Sequence, residues 1–215
     1  AAALTIVCSP NNPTGSLLAP ADVERLCLET PGLVVIDEAY HEFADTTVVP
    51  LLERHPNLVV LRTFSKAMAL AGLRVGYLLA APRLVREIDK ARLPYNLNFF
   101  SQKAALAALR RADVLQASVS RLRGLRDELM ASLRAMPGVK VHPSCANFFL
   151  LEIQEAPPRA VFEALYARGI LVRDVTRYPG LERCLRISVG SEEENAALLQ
   201  ALPEILVETP VGRQR

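Results

Sequence analysis

Four short apolar runs rich in branched residues, Leu4–Cys8, Leu33–Ile36, Leu58–Arg62 and Val75–Leu79, each give way to turn residues, and helix patterns intervene at Pro20–Glu29 and Pro82–Ala91. Runs that are apolar throughout, rather than alternating, suit strands covered by helices on both faces. The first half of the chain therefore reads as an α/β domain around a mostly parallel sheet. Pro20 and Pro82 fit the first turn of a helix, and Pro31 with Gly32 stops the first one.

A third helix is expected from Ser101 to about Arg110. A longer one follows, in which Leu115, Val119, Leu122, Leu125, Leu129, Leu133 and Met136 recur at three and four, and Pro137-Gly138 ends it. Gly124 inside it costs roughly 1 kcal/mol of helix propensity, which packing can offset. Beyond lies a smaller α+β pattern: strands at Val139–His142, Phe148–Ile153, Ile170–Arg173 and Leu185–Val189, and a helix at Pro158–Arg168 closed by Gly169. Ser191 with Glu194 is a capping-box signature that opens a last helix running through Leu206. The expected organisation is a partial large α/β domain over 1–112, a linking helix over 113–137, a small α+β domain over 138–208 and a fraying tail over 209–215.

With 51% hydrophobic residues in 215, the chain can bury a sizeable core, which excludes global disorder. Twenty-five basic residues balance 23 acidic ones without a basic block, so nucleic acid is not expected as a partner. Cys8, Cys27, Cys145 and Cys184 form no CxxC pair, and His41, His55 and His142 share no ligand spacing; a reducing compartment and no metal are expected. No run approaches eighteen apolar residues, and the opening AAALTIVC lacks a basic leader, so the expectation is a cytoplasmic protein without membrane attachment. The sequence opens without Met, already inside an apolar run.

Chemistry-bearing residues cluster where the strands end, the place where open α/β sheets bind ligands. After the first strand comes Ser9-Pro10-Asn11-Asn12-Pro13-Thr14-Gly15, which could be no more than a turn. After the second comes Asp37, with Tyr40 three residues on; taken alone, Asp37 could be a helix cap. After the third comes Thr63-Phe64-Ser65-Lys66, then Ala71-Gly72-Leu73-Arg74. A lone lysine is usually solvated surface, but one set behind a buried strand among small and apolar neighbours fits an amine held from water and able to form a Schiff base. Together the three segments offer what pyridoxal 5'-phosphate needs: an amine (Lys66), an acid for the ring nitrogen (Asp37), donors for the ring oxygen (Asn12, Tyr40), and a hydroxyl and guanidinium for the phosphate (Ser65, Arg74).

In the second half, Arg173 and Arg186 are embedded in strand-like runs. Period-two alternation could turn both to solvent, or both could grip planar anions with paired N–H bonds. Asn147 is a polar group at the mouth of the run that begins at Phe148.

These residues resemble the fold-type I, class I and II pyridoxal-phosphate aminotransferases, along essentially the whole chain. NNPTG, the Asp37–Tyr40 segment and the Ser65-Lys66 to Arg74 segment look like that family's three cofactor-binding stretches. Ala69-Leu70-Ala71-Gly72-Leu73-Arg74, Leu93-Pro94-Tyr95-Asn96 and the Arg173/Arg186 pair are similar to its histidinol-phosphate branch.

The resemblance implies Lys66 as the cofactor-bearing lysine and proton shuttle, Asp37 and Tyr40 as its catalytic partners, and Asn12, Ser65 and Arg74 as cofactor ligands. It implies Arg186 against the amino-acid carboxylate, with Arg173 and Asn147 lining the substrate side. The reaction it implies exchanges an amino group between glutamate/2-oxoglutarate and histidinol phosphate/imidazole-acetol phosphate, in a full-length form that is a homodimer. Threonine-phosphate decarboxylase, another aminotransferase of the fold, or a non-catalytic ligand-binding remnant would share the same motifs. The family's segment before NNPTG has no counterpart here, so the resemblance implies a fragment, a truncated product or one piece of a split protein, poorly soluble or weakly active when made alone.

Overall fold

The computed structural model describes residues 2–209, so the expected tail beyond Thr209 lies outside the described residues. Two compact units account for them: Ala1–Asn12 with Ser16–Val119, and Pro13–Gly15 with Ser120–Arg215.

In the first unit β1 (Leu4–Cys8), β2 (Leu33–Asp37) and β3 (Leu58–Thr63) run parallel, and β4 (Gly76–Ala80) closes the sheet antiparallel to β3. The register Cys8↔Asp37↔Leu61 brings the carboxyl ends of β1 and β2 level, and β3 runs on to Thr63. Helix α1 (Pro20–Glu29) covers β2 through Val23 and Cys27, which join Val34, Ile36, Leu58 and Val60 in one core. α2 (Pro82–Asp89) and α3 (Phe99–Leu109) follow. α3 starts two residues before the sequence suggests because Asn98 caps it, its side chain accepting from the Ser101 N–H. The expectation of strands buried on both faces fails for β1, where Leu4 is 50% and Ile6 64% exposed. Their alternation with the half-buried Thr5 and Val7 shows cover on one face only.

Helix α4 (Ala112–Arg134) passes from the first unit into the second. The second unit holds an all-antiparallel sheet in the order β5 (Val139–Val141), β6 (Phe148–Ile153), β8 (Cys184–Ser188) and β7 (Arg173–Asp174), with α5 (Pro158–Ala167) and α6 (Glu192–Glu208). Phe149, Leu151, Ile153, Leu185 and Ile187 point to one side, into a core completed by Leu129, Leu133, Leu165 and Leu202 of the helices. Both halves of the Ser191/Glu194 capping box form at the start of α6.

One expected strand is nearly absent: of Ile170–Arg173 only Arg173 pairs, together with Asp174. The end of α5 competes for that backbone. Gly169 adopts φ +78° and donates to Tyr166 O, and Ile170 donates to Leu165 O, so the chain spends its first residues closing the helix.

Candidate active site

Parallel pairing places three loops side by side on the first unit. The backbone continues the ladder past the strand ends: Ser9 N donates to Asp37 O at 2.9 Å, and Glu38 N to Leu61 O at 2.9 Å. Asp37 is thereby the last residue of β2, half-buried, and its Oδ1 accepts from Ala39 N at 3.0 Å. Cys8 is close enough to feel the Asp37 charge and the Asn12 backbone amide; burial is the main cause that raises its thiol pKa. Tyr40 is buried, and Lys66 Nζ stands 5.4 Å from the centroid of its ring, within reach of a cation–π attraction.

The loop that carries Lys66 is tightly wound. Phe64 N donates to Val75 O, Ala69 N to Lys66 O and Leu70 N to Phe64 O. Ala69 (φ 54°) and Arg74 (φ 56°) are both left-handed, a conformation non-glycine residues adopt only when their surroundings impose it. Phe64, Val75 and Ala105 form the apolar cluster that imposes it, with Met68, Leu70, Leu73 and Leu97 packed around them. Ser101, almost wholly buried, donates from Oγ to Leu73 O at 2.7 Å.

The result corrects one expectation. Lys66 is exposed rather than held from water, because the apolar cluster anchors its loop from beneath and leaves the amine outward. Ser65 is half-buried, with its amide bonded to Thr63 Oγ1, while Asn12 is exposed. Arg74 is exposed as well, and its Nη1 donates to Ala71 O at 2.9 Å.

A buried polar cluster sits directly behind these residues. Glu38, 2% exposed, accepts from Arg62 Nε and Nη2 (3.0 and 2.8 Å), Thr47 Oγ1 (2.8 Å) and Val48 N (2.7 Å). Nearby, His41 Nδ1 lies 3.0 Å from Glu42 Oε2, without hydrogen-bond geometry. Burial first, and the Arg62 charge second, lower the His41 pKa to about 4, and burial raises that of Glu42 to about 7. Sequence reasoning missed the cluster. The available signal was a charged Arg62 closing an otherwise apolar run.

In the second unit Arg173 and Arg186 are direct cross-strand partners on β7 and β8, so they share one face of the sheet. Leu150 pairs with Arg186, which puts that face opposite the one carrying Phe149, Leu151 and the helices. The Arg186 guanidinium carbon lies 4.8 Å from the Phe148 ring centroid, while Arg173 is exposed. Alternation has indeed turned both away from the core, and it has also gathered them, two like charges side by side. At the mouth of β6, Asn147 O accepts from Val189 N, and buried Arg126 donates from Nη1 to Ala146 O. Asn147 Oδ1 is buried without a hydrogen-bond partner among the described residues, which marks it as an acceptor a ligand could satisfy.

Gly15, the end of NNPTG, groups with the second unit. It adopts φ +73°, and a Cβ there would fall 2.1 Å from Ser144 Oγ, while its carbonyl accepts from Cys145 N at 2.8 Å. Only glycine satisfies both the backbone angle and the close approach.

All four cysteines are free, and no His/Cys/Asp/Glu group among the described residues could hold a metal. No described helix is long and apolar enough to cross a membrane. An amine, a carboxylate and a phenol ring at adjoining strand ends, with a hydroxyl and a guanidinium in the same loop as the amine, fit an aldehyde-bearing, phosphorylated heteroaromatic cofactor.

Known proteins agree with that chemistry. Histidinol-phosphate aminotransferase of Roseiflexus castenholzii is 46% identical over 207 residues, which is 95% of this chain and 55% of that protein. A solved histidinol-phosphate aminotransferase from Sinorhizobium meliloti, in complex with pyridoxal-5'-phosphate, superposes with a TM-score of 0.88 at 32% identity, over 96% of this chain and 58% of that one. The L-threonine-O-3-phosphate decarboxylase of Porphyromonas gingivalis gives 0.84 at 27%, over 96% and 65%. The chain spans about half the length of the curated relatives it matches. The model of the family "Aminotransferase class I and II" matches residues 2–202, nearly all that the structure describes, and the chain belongs to that family.

Proposed function

We propose that this chain carries the cofactor-bearing part of a pyridoxal-phosphate aminotransferase acting between glutamate/2-oxoglutarate and histidinol phosphate/imidazole-acetol phosphate. The observation that carries the reading is the placement of Lys66 just past the end of β3 with its amine over Tyr40, and of Asp37 at the end of the neighbouring β2. The identity to histidinol-phosphate aminotransferases favours that substrate pair over threonine phosphate. When bound, pyridoxal phosphate supplies an aldehyde for the amine and a ring that takes up the electron pair left when the substrate Cα–H bond breaks.

Lys66 would hold the cofactor through Nζ and, once released from it, would serve as the general base that takes the substrate Cα proton and delivers it to the cofactor carbon that bore the aldehyde. Asp37, its Oδ1 oriented by the Ala39 amide, keeps a proton on the ring nitrogen. Tyr40 and Asn12 bond the ring oxygen. Ser65 and Arg74 grip the phosphate. In the second unit Arg186 binds the carboxylate of the amino-acid partner, glutamate or 2-oxoglutarate, and Arg173 takes the phosphate of histidinol phosphate or the distal carboxylate of glutamate, with Asn147 lining the substrate side; two paired arginines suit two substrates with different anions. The reading carries with it small-molecule substrates, a cytoplasmic setting and a homodimer for the full-length form.

Pyridoxal phosphate added to the chain should give the visible absorbance band of the lysine-bound cofactor, and borohydride reduction followed by peptide mapping should find the label on Lys66. Label spread over surface lysines in place of Lys66 would sink the proposal. Coupled turnover with histidinol phosphate against threonine phosphate then separates the aminotransferase from the decarboxylase.

A further inference from the structure

Asp37 and Glu38 are consecutive at the end of β2, so their side chains leave the extended backbone on opposite sides. Glu38 is the anchored one. A carboxylate this buried persists only if its charge is matched and its oxygens are bonded. Here Oε2 takes the Arg62 fork and Oε1 takes Val48 N, while the Thr47 hydroxyl bonds the carboxylate and accepts from Arg62 Nη2 at 2.8 Å and Val49 N at 3.2 Å.

The bonds join three segments: Glu38, next to Asp37 and two residues before Tyr40; Thr47 and Val48, at the far end of the loop that carries Tyr40; and Arg62, four residues before Lys66. A backbone rotation that freed Glu38 would swing Asp37 the other way, and one that freed Arg62 would loosen the strand end feeding Lys66.

We infer that the Glu38–Arg62–Thr47 cluster is a positioning device that fixes Asp37, Tyr40 and Lys66 relative to one another and thereby sets how firmly, and in what orientation, the site takes pyridoxal phosphate. The inference rests on the cofactor reading above. Glu38, Arg62 and Thr47 are positioning residues that touch no reacting atom.

The test uses the whole chain with pyridoxal phosphate as probe, and reads affinity, the visible circular dichroism of the bound chromophore, and the thermal midpoint. Thr47→Val leaves both charges in place and removes the hydroxyl between them. It should weaken affinity about 3–10-fold, the loss of a hydrogen bond or two, and diminish the dichroism per bound cofactor. Thr47→Ser, which keeps the hydroxyl, should restore both. Arg62→Lys, which keeps the charge and loses the fork, should resemble Thr47→Val; if it fails to fold, the Thr47 pair decides. Unchanged affinity and dichroism in Thr47→Val, with only the midpoint lowered, would mean that the cluster merely holds the fold, and the inference falls alone. Absence of binding by the wild-type chain overturns the cofactor reading and this inference with it.

Discussion

The two sheets carry their chemistry in different places. In the first, mostly parallel sheet the reactive groups sit at the strand ends or within three residues of them: Asp37 closing β2, then Tyr40, Ser65 and Lys66. In the second, antiparallel sheet the arginines sit within the strands, on the face opposite the helices. Where helices cover a parallel strand its open ground is at its end, as at β2, although β1 also leaves Leu4 and Ile6 exposed on one face. The antiparallel sheet buries Phe148, Leu150 and Cys184 on its other face and carries the two arginines on that same face.

The largest effects should separate these roles. Lys66→Ala should abolish the visible band and the borohydride label altogether, since among the described residues no other amine stands over Tyr40. Arg186→Gln should leave both intact and weaken competition by dicarboxylates about 10–100-fold, the loss of a charge-assisted pair. Titrating each variant with pyridoxal phosphate and then 2-oxoglutarate checks it. If Arg186→Gln also erased the band, the division of labour between the sheets would be wrong.

Within β6 the two faces can be set against each other. Phe149 is fully buried in the core of the second unit, and Phe149→Ala should cost about 3–5 kcal/mol in urea unfolding. Phe148 lies on the other face under Arg186 and is buried as well, 2% exposed. Phe148→Ala should cost about as much and, unlike Phe149→Ala, also lower anion affinity. Anion affinity unchanged in Phe148→Ala would show that its ring does not support Arg186.

How legible all this was follows from the same contrast. Strand ends could be read because an apolar run gives way to Asp37 or Ser65-Lys66, a change of residue type visible in one dimension. The boundaries moved by a residue, to Asp37, Thr63 and Cys184, because ladder bonds come from the backbone and ignore side-chain type. Ile170–Val172 looked like strand yet was claimed by the close of α5, a competition that only Gly169 hinted at. The exposure of Lys66 was illegible, and Arg62 signalled a buried charge without naming Glu38 as its partner, since both depend on which segment packs against which, across 24 residues of chain for the ion pair.

A smaller effect probes the buried groups behind the site. Glu42, raised to about 7, keeps its proton in the folded state from about pH 4.5 to 7, where the unfolded chain has lost it; alone it makes stability fall as pH rises through that window. His41, lowered to about 4, is neutral in the folded state from about pH 4 to 6.5, where the unfolded chain is protonated; alone it makes stability rise with pH. In the overlap the folded state carries the proton on Glu42 and the unfolded state carries it on His41, so the two slopes offset. His41→Gln should therefore unmask a loss of about 1–2 kcal/mol on going from pH 4.5 to 7, and Glu42→Gln a gain of similar size from pH 4 to 6.5. Chemical denaturation at a series of pH values reads both, and slopes of the same sign in the two variants would rule out this proton exchange.

The smallest effect concerns the loop itself. If the Lys66 loop is imposed by the cluster beneath it, Ala69 bears a left-handed backbone at φ 54° that glycine would adopt without steric cost. Ala69→Gly removes a penalty of roughly 1–2 kcal/mol and adds an unfolded-state entropy of about 0.4–1 kcal/mol against it, so the net should be a stabilisation between about 0 and 1.6 kcal/mol. Leu133→Ala, by contrast, touches only the second unit's core and should destabilise without altering the loop. The decisive measurement is hydrogen exchange of the Ala69 and Leu70 amides, which bond to Lys66 O and Phe64 O. Slower exchange in Ala69→Gly would mean that the loop was strained against the packing of Phe64, Met68 and Leu73. Faster exchange would mean that the alanine methyl was itself part of what holds Lys66 in place, and the strain at this strand end would then be structural support.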